Sequence, residues 1–378
     1  MKRNSKDMKK HVWMAFIMGI SMMSCSSPEG QKQTVSAGVL EYDSLSIPID
    51  YPYLGFYYQT AYYQEGKNLY WAGYNHMLHS IEVFDLTNRC TVQSFELDPE
   101  GPNGILKNQM SKFSMNDSLF VFECFRLGIK VLSRKDGTLR KTIVPLSEEE
   151  DFQLNYRGGM DANYSDGFGM RWNGECLVMP IFAKNGQKMD DAFALSVNLR
   201  TSEIENLPLA YPDVIKDELG KYGSLTCPFL TVGEDRIVYN FAYSSRVYVY
   251  GKETGEVEAF DMKSNATPNQ SEPKDANIKQ RNFKKNFEYE RKTLRFGEVY
   301  YDKTSDTYVR MHHAERAEMF GEQNNYLIVR RCKTGETLEY ELPKDFSTRY
   351  FVTNGHAYFL LKNKDDVCLR FAVVDLKK

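Results

Sequence analysis

From Val39 to the last residue the hydrophobic positions fall in short runs, many of them alternating with polar residues, and turns rich in Gly, Asn, Asp and Lys separate the runs. Sustained helical periodicity is nearly absent. Short strands at regular spacing imply an all-β sandwich, barrel or propeller, and internal repetition distinguishes between them. A hairpin pattern recurs: an apolar strand, a polar turn, then a strand ending in an apolar–acidic or Leu–Pro pair. It reads IEVFDLTNRCTVQSFELD at 81–98, IKVLSRKDGTLRKTIVPL at 129–146 and FALSVNLRTSEIENLPLA at 193–210. It returns as VYVYGKETGEVEAFDMKS at 247–264 and YLIVRRCKTGETLEYELP at 326–343. Gly137, Gly255 and Gly335 stand where a tight hairpin demands positive φ. Two further strand-like runs precede each hairpin. Four strands per unit is the blade of a β-propeller.

A sixth unit, RYFVTNG, HAYFLLKN and CLRFAVVDL within 349–376, has three strands before the chain stops. VLEYDSLSIPID at 39–50 is available to supply the fourth. The expectation is therefore a six-bladed propeller over 39–378 whose N-terminal strand completes the last blade, which removes the open sheet edge. Six blades average about 57 residues each, above the 40–45 of compact repeats, so the surplus belongs to loops. The longest interruption is 264–292, a polar and then basic insertion. Its second half predicts a short helix with Phe283 and Phe287 on one face.

The N-terminus has a different pattern. Residues 1–11 are basic, and Val12–Met23 is a mostly apolar run, too short to span a membrane and suited to the h-region of a secretory signal. The run ends in Met22-Met23-Ser24-Cys25, which resembles the lipobox of bacterial lipoproteins although Met22 stands where Leu is usual. That resemblance implies residues 1–24 as a lipoprotein signal peptide and Cys25 as the acylated residue. Residues 25–38 read as lipidated cysteine and flexible tether. Ser26 stands where Asp would favour inner-membrane retention, so the outer membrane is the expected location, on its periplasmic or its surface face.

Composition agrees with export. Net charge is -3, and the leader carries Lys2, Arg3, Lys6, Lys9 and Lys10 against Asp7, so the exported chain is more acidic still and nucleic acid is not an expected partner. Of the seven cysteines, Cys25 is assigned to lipid, and the other six show no C-x-x-C and no zinc-ligand spacing. Most lie in or beside apolar runs, which favours buried free thiols.

An exported cysteine, a Tyr-rich first unit, the Glu100-Gly101-Pro102-Asn103-Gly104 loop and the Tyr301-Asp302-Lys303…Asp306-Thr307-Tyr308-Val309-Arg310 hairpin together carry a resemblance. The chain is similar to a group of Bacteroidota-type lipoproteins with a six-bladed-propeller-like domain of unknown function. The resemblance covers nearly the full length and implies fold and location; it supplies no activity and no catalytic residues.

Function must then be argued from side chains. There is no sialidase-type box, no G-x-S-x-G elbow, no P-loop and no dinucleotide fingerprint, so neither a cofactor nor a catalytic set is expected. His312 and His313, as strand neighbours, point to opposite faces and do not form a metal pair. Residues 51–74 hold eight tyrosines together with Phe56 and Trp71. Such aromatics either pack between blades or meet a ligand with an apolar face and a polar tip. Tyr58 and Trp71 are the candidates there. The segment 157–172, rich in Gly, acid, Arg and aromatic residues, contributes Asp161, Tyr164 and Arg171. Tyr308, Arg310 and His312 alternate along one strand face and form a second polar set, suited to inter-blade hydrogen bonding or to ligand contact. The leading expectation is a non-enzymatic binding or scaffold module at the envelope for a glycan, peptide or partner protein. A propeller-type hydrolase or lyase with an axial metal or carboxylate site is the alternative, and a purely structural envelope partner the third.

Overall fold

Six sheets, antiparallel but for one added parallel strand, are laid down in chain order around one axis. The computed structural model describes residues 35–49, 57, 59–101, 104–105, 107, 110–124, 128–143, 152–154, 170–183, 193–209, 211–212, 221–226, 228–278, 282–362 and 367–377. The leader, Cys25, Tyr58, Asp161 and Tyr164 lie outside the described residues. Blade 1 comprises β3 (Thr60–Glu65), β4 (Asn68–Asn75), β5 (Ser80–Asp85) and β6 (Cys90–Glu96), and blade 2 comprises β7 (Met110–Met115), β8 (Leu119–Cys124), β9 (Gly128–Ser133) and β10 (Leu139–Ile143). Blade 4 comprises β16 (Pro228–Val232), β17 (Arg236–Phe241), β18 (Arg246–Gly251) and β19 (Val257–Asp261). The turn glycines Gly137, Gly255 and Gly335 each sit at φ +70, where a Cβ would be strained.

Blade 3 departs from the repeat. Its inner position is shared by β11 (Phe152–Leu154) and β12 (Arg171–Asn173), which pair with opposite ends of β13 (Cys176–Ala183); β14 (Ala194–Asn198) and β15 (Ile204–Asn206) follow. Both short strands run antiparallel to β13, β11 from Phe152↔Ala183 to Leu154↔Ile181 and β12 from Arg171↔Val178 to Asn173↔Cys176.

Closure follows the expected route. Blade 6 holds β24 (Phe346–Thr353), β25 (His356–Leu361) and β26 (Cys368–Asp375), and β2 (Asp43–Pro48) pairs antiparallel with β26 from Asp43↔Val373 to Pro48↔Cys368. Blade 5 holds β20 (Arg295–Asp302), β21 (Thr307–His313), β22 (Asn325–Arg331) and β23 (Thr337–Glu341). An additional strand, β1 (Val35–Ala37), lies parallel to β23 as its fifth member. These three residues fall within the span read as tether, where Val35 and Ala37 carry too little apolar pattern to mark a strand. The N-terminal segment therefore pins two blades.

The core is divided among the junctions between blades. Trp71, Phe84, Tyr350 and Phe371 belong to the cluster joining blade 6 to blade 1, while Val238, Val247, Val299 and Ile328 belong to that between blades 4 and 5. Each fully buried Phe or Leu contributes about 2 kcal/mol, so ring closure is held mainly by these faces. The insertion carries helix α1 (Phe283–Lys292), whose N-cap Asn282 side chain accepts from the Lys285 N–H at 3.2 Å. No helix among the described residues is long and apolar enough to cross a membrane. Cys90, Cys176, Cys332 and Cys368 are free thiols. Cys90 is exposed rather than buried, because it opens the outermost strand of its blade.

Candidate functional site: an aromatic axial cavity

A cavity of about 500 Å³ lies on the axis, and the innermost strand of every blade contributes to it. Tyr62 comes from β3, Ser114 from β7, Arg171 and Trp172 from β12, Val232 from β16, Tyr300 from β20, and Arg349 and Tyr350 from β24. Ten of its 23 lining residues are aromatic, and polar side chains, Arg171, Arg349, Gln64 and Asn116 among them, interrupt the ring surface. A recess of about 520 Å³ between blades 1 and 2 is lined by Asp117, Arg134, Lys135 and Arg140. Most of those charges are exposed and solvated, so the axial cavity is the better site.

The polar end of the cavity rests on one ion pair. Arg171 Nη2 donates to both carboxylate oxygens of Glu298, at 2.8 and 3.0 Å. The pair joins blade 3 to blade 5 past blade 4, and Glu298 is fully buried. Burial works against the Arg171 charge, but the Glu298 carboxylate more than offsets it and holds the guanidinium above its ordinary value. Around it, burial pushes the Tyr62 phenol up to about 12 and raises Tyr300 and Tyr350, so all three stay protonated at neutral pH. Tyr350 Oη donates to the Glu298 carbonyl at 2.7 Å and accepts from the Met311 N–H at 3.2 Å, and Tyr300 Oη donates to the Tyr350 carbonyl at 3.2 Å. These bonds tie the inner strands of blades 5 and 6 and hold the rings in place. The indole N–H of Trp172 is buried and makes no hydrogen bond.

The second wall follows the seam between blades 6 and 1. Tyr62 stacks on Phe351 at 4.4 Å and Phe351 on Tyr358 at 4.8 Å, and Trp71 meets Phe371 edge-on at 5.5 Å behind them. The cavity also reaches Gln64, Asn116 and Asp117, where the innermost strands turn back.

Of the residues singled out from sequence, Arg171 and Trp71 both line this cavity. Tyr308, Arg310 and His312 lie elsewhere: their shared face of β21 is buried against blade 4 and its insertion. Tyr308 Oη accepts from Arg236 Nη1 at 3.1 Å. Arg310 donates to the carbonyls of Gly297, Phe241 and Ser244, at 3.0, 3.2 and 2.8 Å. His312 Nδ1 lies 3.1 Å from Thr267 Oγ1. Among the described residues, no group of three or more His, Cys, Asp or Glu side chains is placed to hold a metal ion.

Sequence reasoning passed over Glu298, Tyr300, Arg349 and Tyr350, and held Tyr62 only as one of the eight tyrosines at 51–74. One signal was present: Glu298 is a lone acid within the aromatic run RFGEVYY, on the first strand of its unit, as Arg171 is on the first of its own. An isolated charge in such a strand needs a partner across the axis.

A family model described as a domain of unknown function, DUF4221, matches residues 35–329. A DUF4221 member from Bacteroides vulgatus has a similar crystal structure, with 17% identity, a TM-score of 0.69 and coverage of 89% of this chain and 97% of that one. The extracellular domain of a putative hybrid two-component system from B. thetaiotaomicron aligns at 11% identity and a TM-score of 0.40, over 89% of this chain and 42% of that one. U3-55K aligns at 10% identity and 0.42, over 84% and 80%. No curated protein matches.

Proposed function

We propose, for a chain that belongs to the DUF4221 family of domains of unknown function, a lipid-anchored and non-enzymatic binding module of the bacterial envelope whose recognition site is the axial cavity. The observation that carries this reading is the cavity itself, about 500 Å³ with ten aromatic side chains among 23 lining residues. That volume lies within the roughly 300–1,000 Å³ of small-molecule sites, and a few placed polar groups on an apolar wall is their usual make-up. Binding is favoured over catalysis by the arrangement of carboxylates. Asp117, the one carboxylate among the lining residues, is exposed, and Glu298 behind the wall is engaged by Arg171. A general acid–base pair needs two such groups facing one reacting centre.

The lipid anchor rests on Ser24-Cys25 after the apolar run. In cells fed labelled palmitate, the wild-type chain takes up label and Cys25→Ala loses both label and membrane association; an unchanged label removes the anchor from this reading. For the cavity, the test is a thermal-shift panel of glycans, peptides and small carboxylates on the wild-type chain and on Ala61→Trp, which places an indole into the cavity. A specific ligand at 100 times its Kd adds about 2.7 kcal/mol and raises the midpoint of the wild type by a few degrees. Ala61→Trp abolishes that shift. A ligand whose shift survives Ala61→Trp binds elsewhere.

A further inference from the structure

We propose that the ring is held with one particular face toward the bilayer, the face on which the axial cavity opens; this rests on the lipid anchor at Cys25 proposed above. A blade has two unlike ends. In blade 5 the Cys332 N–H donates to the Asp306 carbonyl at 2.9 Å, and in blade 2 the Arg134 N–H donates to the Ser118 carbonyl at 2.8 Å. The turn from third to fourth strand therefore lies beside the turn from first to second, and together they form the turn face of the ring. The mouth of the cavity is on this face: of its 23 lining residues only Asp117 and Gly174 are exposed, and both stand in turns from first to second strand. The opposite face carries the links from second to third strand. Phe320, 76% exposed, stands there in the link between β21 and β22, which the Arg316 N–H ties to the Lys292 carbonyl of α1 at 2.8 Å.

β1 fixes where the tether joins. It runs parallel to β23 with Val35 opposite Thr337, and Thr337 directly follows the turn from third to fourth strand. The strand therefore enters blade 5 from the turn face. Asn265 Nδ2 donates to the Val35 carbonyl at 3.0 Å, and the Gly38 N–H donates to the Glu339 carbonyl at 2.9 Å, so β1 is held at both ends. Chain length then sets the orientation. Ten positions separate Cys25 from Val35, a reach of at most about 36 Å, against about 65 Å were the ring joined only from Asp43 onward. Blade 5 is about 25 Å tall along the eight residues of β20, so turning the opposite face to the bilayer would spend most of the tether on climbing the blade.

A ligand then reaches the cavity through the gap between ring and bilayer. The experiment places the acylated chain in phosphatidylcholine vesicles containing an acceptor-labelled lipid and reads energy transfer from a donor dye on one thiol. Lys333→Cys puts the thiol on the turn face of blade 5, and Phe320→Cys puts it on the opposite face of the same blade; both positions are exposed. Both are made in Cys90→Ser, which removes the exposed native thiol, and Cys90→Ser alone gives the background of the remaining thiols. The expected result is transfer from Lys333→Cys about twofold or more above that from Phe320→Cys, for a height difference of about 25 Å. Inserting a Gly-Ser segment of about twelve residues after Lys32 roughly doubles the tether and narrows the contrast.

Cys90, exposed at the start of β6, is a native reporter of the turn face and serves in place of Lys333→Cys should that variant fail to fold. On a palmitate-labelled chain, equal or absent transfer from the two positions, or more from Phe320→Cys, overturns the orientation and leaves the anchor standing. A contrast that survives the longer tether overturns β1 and the tether as its cause. No transfer above background from either position, with no palmitate label on Cys25, overturns the anchor and this inference with it.

Discussion

Arg171, half-buried, and Arg310, fully buried, both lie beside the inner strand of blade 5, and they do opposite things. Arg171 meets a carboxylate, keeps its charge against burial and borders a cavity. Arg310 meets three backbone carbonyls, stacks 4.9 Å from the Phe296 ring and is fully enclosed in the junction between blades 4 and 5. Without a bonded carboxylate, burial pushes it down to about 9, still cationic at neutral pH. Its neighbours follow the same logic. Burial, with the charges of Arg295 and Arg316 beside it, pushes His313 down to about 3, and burial with Arg310 lowers His312. One region spends its polar groups on holding two blades together; the other leaves some facing a space large enough for a ligand.

The most severe way to break this picture is to remove the strand on which the seam depends. Deleting 39–50 takes β2 from β26 and leaves blade 6 with an open edge beside the aromatic wall. The expected outcome is loss of cooperative unfolding, since the change rivals a domain's whole stability of about 5–15 kcal/mol. A truncated chain that melts with the wild type contradicts ring closure.

Next in size is Arg171→Met, which leaves the Glu298 carboxylate buried without its cation and is expected to cost about 3–5 kcal/mol in denaturant unfolding. Adding Glu298→Leu should recover much of that loss, because both charges are then gone. No carboxylate replacement should rescue Arg310→Met in the same way, and a rescue there would erase the contrast between the two sites.

Acid then separates the regions. An unfolded histidine titrates near 6.5, whereas folded His313 is held neutral down to about 3. Between those values the unfolded chain binds more protons, so the contribution of His313 is complete above about pH 6.5 and falls with decreasing pH. The slope is about 1 kcal/mol per pH unit. Glu82 acts in the other direction: burial raises its carboxyl even though Tyr57, Asn75 and Ser80 donate to it, so it favours the folded state as pH falls. The difference between wild type and His313→Asn at pH 5 and pH 7 isolates the histidine. A difference independent of pH refutes the assignment.

The smallest expected effect is Tyr308→Phe, which removes one acceptor from Arg236, a guanidinium that keeps its Asp235 partner. Chemical denaturation should register about 1 kcal/mol or less. A loss matching that of Arg171→Met would mean that the junction depends on this single bond.

The fold was readable from local pattern. Alternation marked the strands, glycine marked the turns at Gly137, Gly255 and Gly335, and the three-stranded last unit required a strand from the other end of the chain. Each of these is set by the period of a strand or by φ at one residue, and neither needs distant contacts to be seen. The short β1 at 35–37 escaped because three residues carry no period, and β23 supplies the order that the segment lacks.

The site was legible only in fragments. Arg171 and Trp71 stood out by composition, but so did Tyr308, Arg310 and His312, whose alternation has the same appearance in a string of letters. Which face looks across the axis and which looks into a neighbouring blade depends on where each strand lies in its sheet. Innermost strands such as β12 and β20 reach the channel, while β21, one position outward, meets another blade. The sequence by itself determined the blades, their number and the strand that closes the ring, because these follow from backbone periodicity. Only the tertiary structure decided that Arg171 finds Glu298 across 127 positions of chain and that six inner strands leave a cavity between them, because both depend on the packing of the blades around one axis.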